Sequence, residues 1–186
     1  MNEFSTYEFA VKQKNEGKWL LARIGLIFFY VAYVLGLLIL GLQTKIIIPL
    51  LALIPVTLWI LVFITWRYVS VEYEYSITSG ILTLTKIYGE RSRKKVLELT
   101  LKDAVRIAPL DNSMEADRAT HYHPEREFSA ISSLKAPDIY FILFELDDAK
   151  NGEKRRAILY LEMTQKALQV CKFYNASATL TQKLSR

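Results

Sequence analysis

The stretch that decides the fold runs from Val69 to Tyr88 and reads VSVEYEYSITSGILTLTKIY. Apolar and aromatic residues occupy every second position from Val69 to Ile77, and a second alternating run covers Ile81 to Tyr88. A period of two is typical of half-buried β-strands, because successive side chains point to opposite faces of the sheet. Since Thr78-Ser79-Gly80 between the runs has turn chemistry, the stretch predicts an antiparallel hairpin.

Two long uncharged segments precede this hairpin. Ile24 to Leu42 is nineteen residues without a charge, and Ile46 to Trp66 is twenty-one. About 20 helical residues cross a hydrocarbon core of about 30 Å. Burial of both segments as core helices is disfavoured, because so small a core cannot hide two helices that are apolar on every face. The first segment is also too long for the apolar part of a signal peptide. We therefore predict a transmembrane hairpin over residues 19–66, with spans at about 19–42 and 46–66.

The distribution of basic residues predicts the orientation of this hairpin. The loop between the spans carries only Lys45, whereas Arg67 follows the second span directly. The basic residues before the first span are Lys12, Lys14, Lys18 and Arg23. Because cytoplasmic flanks are enriched in Lys and Arg, both termini are expected in the cytoplasm of a multi-pass plasma-membrane protein. Residues 1–18 then form a cytoplasmic flank, and residues 67–186 form the cytoplasmic domain.

The N-terminal flank itself gives two alternatives. Phe4, Tyr7 and Val11 lie at near-helical spacing. This spacing is compatible with a short interfacial helix, and a frayed tail explains the flank equally well.

Downstream of the hairpin, the chain is mostly strand-like and then becomes helical. Polar residues from Leu110 to Glu127 predict a long loop, and no clear pattern follows up to Pro137. Thr164 is a suitable cap for a terminal helix with an apolar stripe at Ala167, Leu168, Cys171 and Tyr174. The further predicted strands are Val96 to Leu101, Val105 to Ile107, Ile139 to Leu146 and Ala157 to Leu161. Six or seven strands and one closing helix make this an α+β membrane protein.

Three stretches of the chain resemble a known family. The segment EYEYSITSGILTLTKIYGERSRKKVLELTL (Glu72–Leu101) resembles the start of the pleckstrin-homology-like (PH-like) domain in an uncharacterised family of membrane proteins from low-GC Gram-positive bacteria. YEFAVKQKNEGKWLLARIG (Tyr7–Gly25) is similar to that family's N-terminal flank, and IYFILFEL (Ile139–Leu146) also fits. The resemblance implies a transmembrane hairpin followed by an antiparallel PH-like β-barrel or sandwich with a C-terminal capping helix. Residues 111–135 depart most from the family.

The resemblance implies a fold and a location at the membrane, but it implies no activity. PH-like folds bind phosphoinositides, peptides or protein partners, and the fold alone does not choose among them. The net charge of +5 attracts either nucleic acid or an anionic membrane. We expect the membrane and no nucleic acid. Cys171 is the only cysteine, so an intrachain disulfide is excluded.

Positive charge is concentrated in YGERSRKKV, from Tyr88 to Val96. If the sheet stands upright on the membrane, this turn returns to the level of Arg67 and the anionic leaflet. The candidate lipid contacts are Arg67, Arg91, Arg93, Lys94 and Lys95. A solubilising turn or a topology determinant explains the same charge, and it is the simpler interpretation because four charges without pocket residues carry little specificity.

Other chemistry has little support in the sequence. His121 and His123 supply two metal ligands, with Asp117 and Glu125 as further candidates, but zinc needs three or four in fixed geometry. We predict no metal site, no cofactor and no catalytic residue, and we expect Cys171 to be a buried structural thiol. The chain is therefore not expected to be an enzyme.

The predicted function is binding at the inner face of the plasma membrane. The ligand is a protein partner or anionic lipid headgroups. The alternative is a structural or accessory subunit of a larger membrane complex, with the transmembrane hairpin as its contact surface. Ala32, Gly36 and Gly41 in the first span allow close helix contact, either within the hairpin or between copies in a homo-oligomer.

Overall fold

The computed structural model describes residues 6–89, 92–147 and 154–181. The chain falls into two compact units. A helical unit comprises Lys14–Val71 and Tyr88–Ser92, and a sheet unit comprises Met1–Gln13, Glu72–Ile87 and Arg93–Arg186.

The helical unit contains two apolar helices, α1 (Gly17–Thr44) and α2 (Ile47–Thr65). Lys45 connects them with a left-handed backbone conformation, at φ 60°. Both helices are long enough and apolar enough to cross a membrane. Only 11% and 6% of their apolar windows are buried within the folded chain, whereas a core helix would be mostly buried. The two predicted helices are therefore present, with most of their apolar surface exposed.

The two helices pack closely at both ends of the hairpin. Near the connection, a Cβ atom on Gly41 would lie 3.0 Å from Leu50 Cδ1, so a side chain there would crowd α2. Near the other end, the hydroxyl groups of Tyr30 and Thr65 are hydrogen-bonded at 2.5 Å. Gly41 thus serves contact within the hairpin, which is one of the two roles expected for small residues of the first span.

The first sheet of the other unit has the strand order β1-β2-β3-β4. Its strands are β1 (Thr6–Lys12), β2 (Val71–Thr78), β3 (Ile81–Tyr88) and β4 (Ser92–Thr100). β1 pairs antiparallel with β2, from Thr6 opposite Thr78 to Lys12 opposite Glu72. Over Thr6–Lys12, the interfacial helix and the frayed tail expected for the N-terminal flank are both wrong, because these residues complete a sheet with strands that follow the two helices.

The second sheet has the order β5-β7-β8-β6. Its strands are β5 (Arg106–Pro109), β6 (Arg126–Ala130), β7 (Ile139–Asp147) and β8 (Lys154–Glu162). β6 lies parallel to β8, and the other neighbours are antiparallel. The long loop expected over residues 110–127 is wrong, since it contains helix α3 (Ser113–His121). Asn112 caps this helix by accepting hydrogen bonds from the amides of Met114 and Glu115.

The two sheets share one hydrophobic core. It joins Tyr75 and Leu84 of the first sheet to Tyr140 and Leu159 of the second. A smaller cluster on the other face of the second sheet packs Ala119 of α3 against apolar side chains of β5, β7 and β8. Two separate four-stranded sheets are present, so the closed barrel among our expectations is wrong. The arrangement is consistent with a PH-like sandwich.

The terminal helix α4 (Gln165–Tyr174) matches the sequence prediction. The Thr164 hydroxyl caps it by accepting a hydrogen bond from the Ala167 amide at 3.3 Å. Ala167, Leu168 and Cys171 are buried in the shared core. Burial raises the pKa of the Cys171 thiol to about 12, so the thiol stays protonated and the prediction of a buried thiol is confirmed.

Candidate functional site

The chain leaves α2 through a short 3₁₀ turn, Trp66–Tyr68, which carries the first candidate residue. Arg67 is exposed, and its Nη2 donates a hydrogen bond to the Tyr68 hydroxyl at 2.8 Å. Its guanidinium carbon lies 4.8 Å from the centre of the Tyr68 ring. The ring therefore holds the cation in place at the end of a long apolar helix, where aromatic and basic residues suit a membrane interface.

A second arginine binds the same turn from the other helix. Arg23 of α1 donates hydrogen bonds from Nε and Nη2 to the carbonyl oxygen of Val69, at 3.2 and 2.9 Å. From the sequence, Arg23 was expected to contribute only to topology. Its contact ties the start of α1 to the exit of α2, and it places a second positive charge beside the turn.

Gly89, the residue directly after β3, packs against the segment that leaves α2. Its amide donates a hydrogen bond to the Ser70 carbonyl at 2.8 Å. Its φ is +56°, and a Cβ atom there would lie only 2.6 Å from Arg67 Cβ. Only glycine combines this backbone conformation with so close an approach. Gly89, at the start of the expected basic turn, therefore lies directly against Arg67.

Arg93, Lys94 and Lys95 lie in the sheet unit, and their structure differs from the turn expected from the sequence. Arg93, Lys94 and Lys95 are residues of strand β4, not of a turn, and residues 92–96 are all exposed. Arg93 Nη1 lies 3.5 Å from Glu74 Oε1, and Lys95 pairs with Glu98. Lys94 has no ion-pair partner within the described ranges. Arg91 lies outside the described residues.

The electrostatics leave these cations available to another anion. Exposed ion pairs such as those of Arg93 and Lys95 contribute about 0–1 kcal/mol, since water and salt screen them. An approaching anionic surface thus competes with weakly bound carboxylates. The sequence predicted the cations, but it did not predict the contacts that Arg23, Tyr68 and Gly89 make at the exit of α2. The glycine directly after an alternating strand was the available signal.

The two histidines have different surroundings. His121 Nδ1 lies 2.9 Å from the Asp117 carbonyl oxygen and 3.4 Å from its carboxylate, whereas His123 lines a separate cleft. No group of three or more His, Cys, Asp or Glu side chains suitable for a metal ion occurs in the part of the chain that the structure describes.

Two sheets around one core, a closing helix and two apolar helices define the class of the protein as a PH-like domain joined to a candidate transmembrane hairpin. The chain belongs to the family described as Bacterial PH-like domain (DUF6106), whose model matches residues 4–180. This match covers the helices as well as both sheets, so the family includes the hairpin. No curated protein matches the chain, and no solved structure does.

Proposed function

We propose that this protein is a membrane-anchored binding module, without catalytic activity, whose basic residues contact anionic lipid headgroups at the inner face of the plasma membrane. The observation that carries the proposal is the contact of Gly89 with Arg67 and Ser70. This contact attaches the first residues of the stretch Tyr88–Val96, called the basic segment below, to the turn that follows an apolar, membrane-length helix.

Chain length keeps the remaining cations near that point. Arg93 follows Gly89 by four residues, and an extended chain spans at most about 3.6 Å per residue. Arg93 therefore lies within about 15 Å of Gly89. Electrostatic attraction to a leaflet acts over a Debye length of about 8 Å, a distance comparable with this reach.

The pairing of β1 with β2 supports a common side for both flanks. β1 precedes α1 and β2 follows α2, yet the two strands share one antiparallel register. If both helices span the membrane, the N-terminal flank and the sheet domain lie on the same side. The basic residues of these flanks favour the cytoplasm.

The expected electrostatic energy is enough to orient the sheet domain at the membrane, and it is not needed to bring the protein there. Each Lys or Arg near an anionic leaflet contributes on the order of 1 kcal/mol, and Arg93 and Lys95 first exchange their carboxylate partners. The helices already hold the protein at the membrane. The basic segment then selects the orientation of the domain and the lipids beside it.

The test compares the full-length chain in nanodiscs of zwitterionic lipid and in nanodiscs containing phosphatidylglycerol. Hydrogen exchange of the amides of residues 92–96 should slow in the anionic nanodiscs. The triple variant R93E/K94E/K95E should lose this protection. The matched control K102E/K166E/K172E carries the same change in charge at exposed sites elsewhere in the sheet unit and should keep it.

The outcomes separate lipid from protein binding. Equal exchange rates in both nanodiscs, or protection that survives the triple reversal, would rule out lipid contact. Crosslinking of residues 92–96 to a cellular protein, without lipid-dependent protection, would identify the basic segment as a protein-binding surface.

A second candidate function is that of an accessory subunit that uses its helices as contact surface. Gly41 already packs against α2 within the hairpin, whereas Ala32 and Gly36 are exposed. A Cβ atom on Gly36 would meet nothing within 4 Å. This small-xxx-small face suits another transmembrane helix. Gly36→Ile should then abolish co-purification of partners or copies in mild detergent, whereas Gly25→Ile, also at an open position, should not.

A further inference from the structure

A cleft of about 440 Å³ lies in the sheet unit, on the face of the second sheet that α3 covers. Ala116 and Ala119 of α3 form one wall, and Leu110 adds apolar surface. Glu127 of β6 and Tyr160 of β8 line it from the sheet, and His123 lies in the turn between α3 and β6. A cleft of this volume accommodates a small organic molecule.

The cleft exists because α3 covers only part of the sheet. Ala119 packs against side chains of β5, β7 and β8, including Ile158. β6 is the edge strand beyond β8, with Glu127 opposite Ile158. In a parallel pair, opposite residues share a face, so Glu127 projects from the same face as Ile158 and Tyr160. The side chains of Glu127 and Tyr160 therefore lie at the border of the area that α3 covers.

The lining of the cleft includes a negative charge, although the net charge of the protein is positive. The chain as a whole carries a net charge of +5, yet the lining residues include a carboxylate and neither lysine nor arginine. Glu127 has no ion-pair partner in the described part of the chain. Burial, and secondarily the nearby Glu127 carboxylate, raises the pKa of the Tyr160 hydroxyl, which therefore stays neutral and able to donate a hydrogen bond.

We propose that this cleft binds a small organic cation, an ammonium group on an apolar body. The ammonium group contacts the Glu127 carboxylate and the ring of Tyr160, since a carboxylate and an aromatic face both attract a cation. The apolar body lies on Leu110, Ala116 and Ala119. An anion would meet the carboxylate of Glu127. A metal ion would find one carboxylate and one imidazole among the lining residues, fewer than the three or four ligands of a typical metal site.

The experiment uses the full-length chain in zwitterionic nanodiscs, with empty nanodiscs as the baseline for partitioning into lipid. The probes are phenethylamine and 3-phenylpropionate, which share an aromatic body and differ in the sign of their charge. Saturation-transfer NMR titrations should give an affinity for phenethylamine about tenfold or more above that for 3-phenylpropionate.

Variants locate the site. Glu127→Gln removes the charge from an exposed position and should weaken phenethylamine binding about fivefold or more. Ala116→Leu should fill the cleft and abolish binding of phenethylamine. Glu125→Gln is the matched control, because Glu125 is outside the lining and its carboxylate lies 3.9 Å from Arg155 Nε. It should leave binding unchanged.

Three results would overturn the proposal. They are phenethylamine binding no stronger than to empty nanodiscs, equal affinity for 3-phenylpropionate, and undiminished binding to Glu127→Gln. None of them bears on the lipid contacts of β4, so the two proposals fail separately.

Discussion

The Tyr7 hydroxyl, in the strand before the two apolar helices, is hydrogen-bonded to the hydroxyl of Thr164, which caps the terminal helix. The rings of Tyr7 and Phe9 also lie 6.4 and 5.7 Å from the ring of Tyr75. Tyr75 is fully buried, so these contacts join the N-terminal strand to the core. The PH-like domain is therefore assembled from two parts of the chain that the hairpin separates.

We predict that residues 71–181 alone do not fold stably. Without β1, the fragment loses the buried side chain of Val11 and the cover that Tyr7 and Phe9 give to Tyr75. A buried apolar side chain contributes about 1.5–3 kcal/mol, and the total stability of a domain is about 5–15 kcal/mol. Circular dichroism and thermal unfolding should show a weak transition or none.

Restoring β1 should restore the fold. Lys12 lies opposite Glu72, so a short glycine-rich loop in place of residues 14–70 joins the strands without strain. In this fused domain, Tyr7→Phe should cost about 1 kcal/mol, whereas Glu8→Gln at an exposed position should change stability by about 0.5 kcal/mol or less. Cooperative unfolding of the isolated fragment at the temperature of the fusion would contradict the prediction.

Gly89→Ala should disrupt the contact of residue 89 with Arg67 and Ser70, at the exit of α2. A left-handed conformation costs a non-glycine residue about 1–2 kcal/mol, and the new Cβ would also meet Arg67 Cβ at 2.6 Å. Because Cβ is bound directly to the backbone, relief requires backbone movement. The amide of residue 89 donates the hydrogen bond to the Ser70 carbonyl. Its hydrogen exchange in the full-length variant should be about tenfold or more faster than in the wild-type protein.

The matched control for this substitution is Gly25→Ala. Gly25 is helical, its φ is not positive, and a Cβ atom there meets nothing within 4 Å. Exchange at Gly89 should be unaffected by it. A Gly89→Ala protein with native exchange rates would show that the turn tolerates a side chain.

An acid-sensitive ion pair attaches α3 to the second sheet. Arg106 of β5 donates hydrogen bonds from Nε and Nη2 to the Glu115 carboxylate at 2.9 and 2.6 Å, and Arg118 lies 3.2 Å away. The hydrogen bonds from Arg106 lower the pKa of Glu115, against the opposing effect of burial. Glu115→Gln should lower the free energy of unfolding of the fused domain by about 1–3 kcal/mol at neutral pH.

The sign of the pH dependence follows from the direction of that shift. A carboxyl whose folded pKa is depressed contributes stability above its unfolded pKa of about 4.3, and this contribution is lost as the pH falls through the folded value. The free energies of unfolding of the fused domain and its Glu115→Gln variant, measured with denaturant, should therefore differ at neutral pH and converge near pH 3. A constant difference across this range would contradict the linkage.

Local patterns predicted some elements well, because their signals lie within the elements. Ile81–Tyr88 was predicted with the bounds of β3, and Thr164 with its apolar stripe predicted α4. The polar helix α3 was missed because only a minority of its side chains are buried. Its cap Asn112, followed three residues later by Glu115, was the signal that sequence reasoning overlooked.

Non-local pairing accounts for most of the other errors. Tyr7, Phe9 and Val11 alternate as strand residues do, but their partner strand lies beyond both helices. β6 pairs in parallel with a strand that follows it only after β7. The basic start of β4 was taken for a turn, although lysine is common on edge strands. The cleft depends on how much of the second sheet α3 covers, which no local pattern encodes.

Cysteine labelling in intact cells tests the topology that the β1–β2 pairing supports. We expect Asn15→Cys before α1 and Ser79→Cys after β2 to resist a membrane-impermeant maleimide, whereas Thr44→Cys at the connection of the helices reacts. The native Cys171 is buried and remains unlabelled, so the background is low. After permeabilisation, Asn15→Cys and Ser79→Cys should both react. Labelling of only one of these two positions in intact cells would place the paired strands on opposite sides of the membrane and exclude the assembled sheet, because β1 cannot cross the bilayer to reach β2.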